Sequence, residues 1–260
     1  MSYPNRLEDL CSLFGRTKSD ISGFTNYVMK HIYNKYHHLL SFSFLNWSRQ
    51  HYSDYARAIH DKGSPLRHVV GFLDGTVRPI CRPRTGQQEV YNGHKRIHAV
   101  KYQALTVPCG LIGHLYGPVP GIRHDSGILR DSGLLEYMQD RFDIDDIQYY
   151  VYGDPAYPHS PWLQKPYGVI DSELKQEFNA KMSAVRMAVE WSFADVLQHW
   201  AFNDYRKNLK LDLQPIGMMY IVSVLLTNMK TCLRGNQISS YFNLTPPTIE
   251  TYLSIPSYTI

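Results

Sequence analysis

The chain is short of cysteine, and the four it has are scattered. Cys11, Cys81, Cys109 and Cys232 form no C-x-x-C pair. That excludes the common zinc modules and a disulfide framework, and points to a reducing compartment. Charge is scarce too. Charged residues make up 19% of the 260 positions, and the formal net charge is +4. This excess permits a polyanionic partner without demanding one, and it is mild beside that of a dedicated DNA packager. Internal repeats and low-complexity tracts are absent. The longest apolar run, Ile216 to Leu226, is far too short to span a bilayer. The N-terminus is polar and lacks the apolar stretch of a signal peptide. A soluble protein of the cytosol or nucleus, with no membrane partner, is the expectation.

What is present suffices for a sizeable core. Hydrophobic residues are 43% of the chain, the balance of a globular protein. The 20 tyrosines can stack bases or touch phosphates, but most are expected to fill strands. Residues 1–62 read as a helical, helix-turn-helix-like segment. Leu7, Leu10, Cys11 and Phe14 share one helical face. Gly15 to Lys18 interrupts, and Ser19 can cap a second helix with Ile21, Phe24, Val28 and Ile32 as its buried stripe. Lys18, Asn26, Lys30 and His31 then point outward, where a DNA reader meets the groove and its phosphates. A plain helical hairpin packed on the domain behind it fits the same pattern. A third helix is predicted from Phe44 to Asp61, and Lys62-Gly-Ser-Pro65 marks a boundary.

Residues 66–233 read as one mixed α/β domain. Val69 to Leu73 is nearly all apolar, as a central strand covered on both faces should be. Ile97–Val107 and Leu111–Tyr116 form a hairpin through Pro108-Cys-Gly110, followed by a Pro/Gly loop at Gly117–Gly121. A helix is predicted over His124–Arg141 and an aromatic strand over Gln148–Tyr152. Long helices follow, from residue 172 to about 200 and over Pro215–Leu233. Residues 234–260, with Pro246-Pro247 and Pro256, read as an extended tail. The order of elements gives a mixed sheet flanked by helices, not a strict alternation of strand and helix.

Three carboxylates sit where a carboxylate is awkward: Asp74 at the end of the apolar strand, Asp154 after Gly153, and Glu190 beside the apolar stripe of a helix. Each has an ordinary explanation alone. Asp74-Gly75 reads as a hairpin turn, Asp154-Pro155 as a turn, and Glu190 as a solvated helix residue or an i,i+4 partner of Arg186. Together, three converging carboxylates suggest a divalent-cation site. Asp125, at the start of a predicted helix, is either a cap or a fourth ligand. The helix around Glu190 carries two stripes. Phe178, Met182, Val185, Val189 and Phe193 are apolar, while Asn179, Ser183, Arg186 and Glu190 are polar, so one stripe packs the core and the other lines a wet cleft. His94 and His98 lie in a strand-like segment with no cysteine partner and make a poor metal site.

GFLDGT around Asp74, PGIRHDSGIL around Asp125, YGDPAYP around Asp154 and FNAKMSAVRMAVEWSF around Glu190 resemble the DDE endonuclease domain of Harbinger-type transposases and their domesticated nuclease relatives. The stretch from Tyr91 to Gln103 and the segment RLEDLCSLFGRTKSDIS resemble that family as well. The likeness spans about residues 6 to 205. It implies a ribonuclease-H-like fold, with Asp74, Asp154 and Glu190 as catalytic acids and Asp125 as an additional metal ligand. It also implies a nuclear location, a separate Myb-like DNA-binding partner, and a longer N-terminal region in family members, so a trimmed DNA-reading segment is expected.

The chemistry expected is phosphodiester cleavage with two ions of Mg²⁺ or Mn²⁺, Asp74 bridging them, Asp154 on one and Glu190 on the other. A transposase would then join the freed 3′-hydroxyl to target DNA, and would work as a homo-oligomer. Lys95, Arg96, Lys101 and Arg186 are candidates for phosphate contacts, with Lys18 and Lys30 on the N-terminal helices. The alternative is a catalytically silent, transposase-derived DNA-binding or regulatory protein.

Overall fold

A computed structural model describes residues 6–41, 47–211 and 213–254. The start of the third predicted helix and the end of the predicted tail lie outside them. Two helices come first, α1 (Leu7–Phe14) and α2 (Lys18–Tyr36). Gly15 closes α1 in the left-handed conformation at φ 60°, where a side chain would be strained. Thr17, not Ser19, caps α2. Its hydroxyl accepts the Asp20 amide, and the Asp20 carboxylate reaches back to the Thr17 amide. The buried stripe also differs from expectation. Ile21 and Met29 are the buried residues of α2, while Phe24 and Val28 are 63% and 52% exposed. Ile32 packs on the core as expected, so the side of the helix that docks on α7 (Ile216–Arg234) keeps Ile21 and Ile32 and takes Met29 in place of Phe24 and Val28. Spacing identifies which residues share a face, but not which face finds a partner.

After α3 (Arg49–Asp61) comes the long central strand β1 (Val69–Pro79). Its first five residues are all buried, as a strand flanked on both edges and covered on both faces requires. Strand β2 (Tyr91–Asn92) pairs with the start of β3 (Ile97–Thr106). β3 runs antiparallel to β1 from Phe72↔Thr106 to Pro79↔Ala99. β4 (Ile112–Pro120) lies antiparallel on its far side. Beyond α4 (Asp125–Asp131), α5 (Leu134–Arg141) and a small ribbon of β5 (Asp143–Ile144) and β6 (Ile147–Gln148), the chain returns to the sheet. There β7 (Tyr150–Gly153) adds parallel to β1, and β8 (Leu163–Gln164) adds parallel to β7. The expected mixed sheet is thus present, ordered β4-β3-β1-β7-β8. Gly71 permits its tight centre, since a Cβ there would stand 2.9 Å from the Thr106 carbonyl oxygen.

Helices α6 (Glu173–His199) and α7 pack on one face of the sheet. By length and apolar composition α7 reaches what a membrane crossing needs, more than the uninterrupted run suggested. Here it is a core helix whose polar residues are spent internally. Asn228 accepts the Ile112 amide at 3.0 Å and donates to the Ile112 carbonyl at 2.9 Å.

Several expectations need correcting. Asp74-Gly75 is not a turn: β1 continues to Pro79 because β3 pairs along its whole second half. Gly117–Gly121 is not a loop throughout, since β4 runs to Pro120. The helix over His124–Arg141 breaks at Gly133, which is left-handed at φ 64°. The aromatic strand splits between the ribbon and the sheet. The extended tail is instead helical over part of its described length. α8 (Gln237–Phe242) and α9 (Ile249–Leu253) are capped by Asn236 and Thr248 and bury Ile238, Phe242 and Tyr252.

Candidate active site

The pleat of β1 sends alternate side chains to opposite faces. Phe72, Asp74 and Thr76 face α6 and α7, and Leu73, Gly75 and Val77 face α4. Cross-sheet contacts fix this assignment. Thr106, opposite Phe72, meets Ser192 of α6 at 2.9 Å. Gln103, opposite Gly75, meets Ser132 just beyond α4 at 3.2 Å.

Asp74 and Asp154 are neighbours because their strands are. Leu73 of β1 is in parallel register with Gly153 of β7, so each acid directly follows one member of that pair. Asp125 arrives from the other side, as the first residue of α4. It does not cap that helix, which has no side-chain cap bond at His124. Its carboxylate turns to the sheet and meets Lys101 Nζ at 2.5 Å. Asp74, Asp125 and Asp154 line one open cleft of about 710 Å³, together with Lys95, Lys101 and Arg123.

Two of the three acids are already charge-compensated. Arg186 of α6 donates to Asp74 Oδ2 at 3.0 Å, with both side chains about four-fifths buried. Lys101 is 8% exposed and also donates to the Arg123 carbonyl at 2.9 Å. Asp154 Oδ1 accepts the Ala156 amide at 2.9 Å, closing the turn after β7. Burial pushes the Asp74 carboxyl up from its ordinary pKa. The charges of Asp154 and Asp125 push the same way, and Arg186 and the Gly75 amide oppose them. A carboxylate shifted in this sense favours either a proton or a nearby cation.

Beneath the cleft lies Tyr157, which the sequence reading did not single out. It is 1% exposed, and its hydroxyl has no hydrogen-bond partner among the described residues. Burial, with Asp125, Asp74 and Asp154 nearby, holds this phenol well above its ordinary pKa, so it keeps its proton. Gly75 makes room here. A Cβ at that position would stand 3.3 Å from Asp125 Oδ1 and 3.8 Å from the Tyr157 hydroxyl. The usable signals were a glycine following the acid in GFLDGT and a tyrosine three residues after the acid in YGDPAYP.

The sequence-predicted residues therefore separate. Asp74, Asp125 and Asp154 come to one cleft, whereas Glu190 is exposed on α6, one turn beyond Arg186 and outside the cleft lining. Arg186 pairs with Asp74 rather than Glu190. Lys101 is committed to Asp125 and is not a free phosphate contact. Lys95 is exposed on the rim, in a turn held by its amide bonding to Asn92 Oδ1 at 2.8 Å, and Arg96 is exposed beside it. Lys18 pairs with Glu8, and Lys30 is exposed on α2; neither lines the cleft.

The three carboxylates of the cleft, which His94 and His124 also line, offer the oxygen donors that Mg²⁺ and Mn²⁺ take. Among the described residues, however, no three acidic, histidine or cysteine side chains stand close enough to hold one ion. The alternation of β1 explains this. Asp74 leaves toward α6 while Asp125 approaches from α4, and a side-chain cation holds each. The donor set fits a divalent ion in kind, and the two ion pairs must open for it to fit in place.

A mixed sheet with three antiparallel strands followed by two parallel ones, carrying acids on adjacent strands, is a ribonuclease-H-like nuclease framework. The sequence profile of the DDE superfamily endonucleases matches residues 73–228, and the chain belongs to that family. No curated protein and no solved structure matches it.

Proposed function

We propose that this chain is a divalent-metal-dependent DNA endonuclease of the Harbinger type, able to serve as a strand transferase. One observation carries the reading: Asp74, Asp125 and Asp154, distant in sequence, share one open cleft of about 710 Å³. Two ions of Mg²⁺ or Mn²⁺ held by Asp74, Asp154 and Glu190, with Asp125 beside them, would supply the Lewis acidity that activates water and neutralises charge developing on the phosphate.

The protein's own residues do the positioning. Arg186 leaves Asp74 and takes up a phosphate oxygen, a role suited to its planar fork of donors. Lys95 and Arg96 hold the backbone at the rim. Glu190 approaches Asp74 from the same α6 face once Arg186 has turned away. Lys18 and Lys30 on the two N-terminal helices extend the contact with DNA. The assembly is a homo-oligomer in the nucleus, working with a Myb-like DNA-binding partner, and after cleavage the freed 3′-hydroxyl attacks target DNA.

A second reading, a silent DNA-binding or regulatory relative, draws on the two ion pairs that now hold the acids. Supercoiled-plasmid nicking separates the readings. The enzyme nicks in Mg²⁺ or Mn²⁺, and Asp154→Ala lowers the rate about 10²- to 10³-fold, the scale for removing one charge-stabilising group. Gel-shift binding without cleavage in any divalent metal supports the silent protein.

A further inference from the structure

Tyr157 carries an inference that rests on the metal-site reading and extends it. Its phenol is buried and makes no hydrogen bond among the described residues. Buried donors in folded proteins are nearly always paired, so an unspent one under a functional cleft calls for a partner. The surroundings limit which partner that is. Its hydroxyl and Asp125 Oδ1 both overhang the bare Cα of Gly75, so Asp125 is the carboxylate the structure sets beside it. Lys101 now holds that carboxylate.

We propose that Tyr157 is a positioning residue of the cation site: when a divalent ion approaches and Lys101 gives up Asp125, the Tyr157 hydroxyl donates to one Asp125 oxygen and leaves the other facing the cleft. The tyrosine touches neither ion nor substrate. It acts through Asp125, as outer-shell partners of metal ligands do, and loss of such a partner costs about 10- to 100-fold in metal affinity. No bond is made or broken; one hydrogen bond replaces an ion pair.

This role has an unusual thermodynamic signature. Without metal, the unpaired hydroxyl is a burden, so Tyr157→Phe melts at or above the wild-type temperature. With metal, the same variant is the weaker binder. A tyrosine that only filled the core would melt the same way as its phenylalanine variant, whose ring still fills the space, and would leave metal affinity unchanged.

The experiment is Mn²⁺ binding by calorimetry on the full chain, for wild type, Tyr157→Phe, Asp125→Asn and the double variant, with melting curves in the absence of metal. Expected are a roughly tenfold or greater loss for Tyr157→Phe and no further loss when it is added to Asp125→Asn, because the two residues act in series. Three results overturn the proposal: wild-type affinity in Tyr157→Phe, losses that add in the double variant, or a lowered metal-free melting temperature. Each of these leaves the metal-site reading standing. A wild-type protein that binds no Mn²⁺ at all overturns both.

Discussion

The sheet with α6 and α7 and the hairpin of α1 and α2 are built from the same kind of apolar spacing, yet they end in opposite states. In the sheet, Val69 to Leu73 are buried, and α7 buries ten of its residues. In the hairpin, α1 buries none, and Leu13, Phe14, Phe24, Tyr27 and Val28 all stand more than half exposed. Periodicity sets amphipathicity, but burial needs a second surface. The sheet finds one on each face within its own chain. Among the described residues the hairpin finds its main one along the side of α2 that meets α7. The cleft accordingly rests on the self-sufficient part of the molecule, and the two helices are attached to it along one edge.

Paired truncations test this contrast most severely. Phe72 is 1% exposed and stacks on Phe242 of α8, tying the central strand to the C-terminal helices. Phe72→Ala is expected to cost about 3–5 kcal/mol. Phe24→Ala on α2 is expected to cost less than about 0.5 kcal/mol, as at ordinary surface positions. Urea unfolding of both variants checks the pair, and comparable losses would end the distinction.

The joint between the two parts should respond to pH. His114 of β4 is buried, and its Nδ1 donates to the Ser41 carbonyl at 2.5 Å, just after the 3₁₀ turn that follows α2. Burial pushes its pKa from 6.5 down to about 4. Between those values the unfolded chain takes a proton that the folded chain refuses. The stabilising contribution is therefore whole above pH 6.5 and drains away as the pH falls toward 4. The full loss is about 3 kcal/mol. Denaturant midpoints at pH 7 and pH 5 should fall for wild type and fall less for His114→Gln. Equal slopes in the two proteins would remove His114 from the joint.

Much of the sheet was legible in the sequence because its signals are local. The apolar run of β1, the Pro-Cys-Gly turn before β4, the long stripe of α6 and the proline-opened apolar run of α7 specify their elements almost unaided. What was missed depends on partners. Asp74-Gly75 has the residues of a hairpin turn, but pairing with Ala104 and Gln103 of β3 makes it strand. The proline-containing tail becomes α8 and α9 because Asn236 can reach the Gly110 carbonyl and Tyr252 can meet Asn228.

At the cleft, the motifs identified the acids but not their counter-ions. Lys101 lies 24 residues from Asp125 and Arg186 lies 112 from Asp74, separations across which sequence carries no pairing signal. Glu190 was singled out by its polar stripe on α6 and by the motif around it, and of that stripe it is Arg186 that reaches Asp74. Tyr157 was hidden by abundance, one tyrosine among 20.

The most direct measurement is anomalous diffraction from crystals soaked in Mn²⁺. Expected is a peak bonded by Asp74 and Asp154, with Arg186 swung off Asp74. Saturating Mn²⁺ that leaves both ion pairs closed and no peak between those two carboxylates would contradict the cation site and the nuclease built on it.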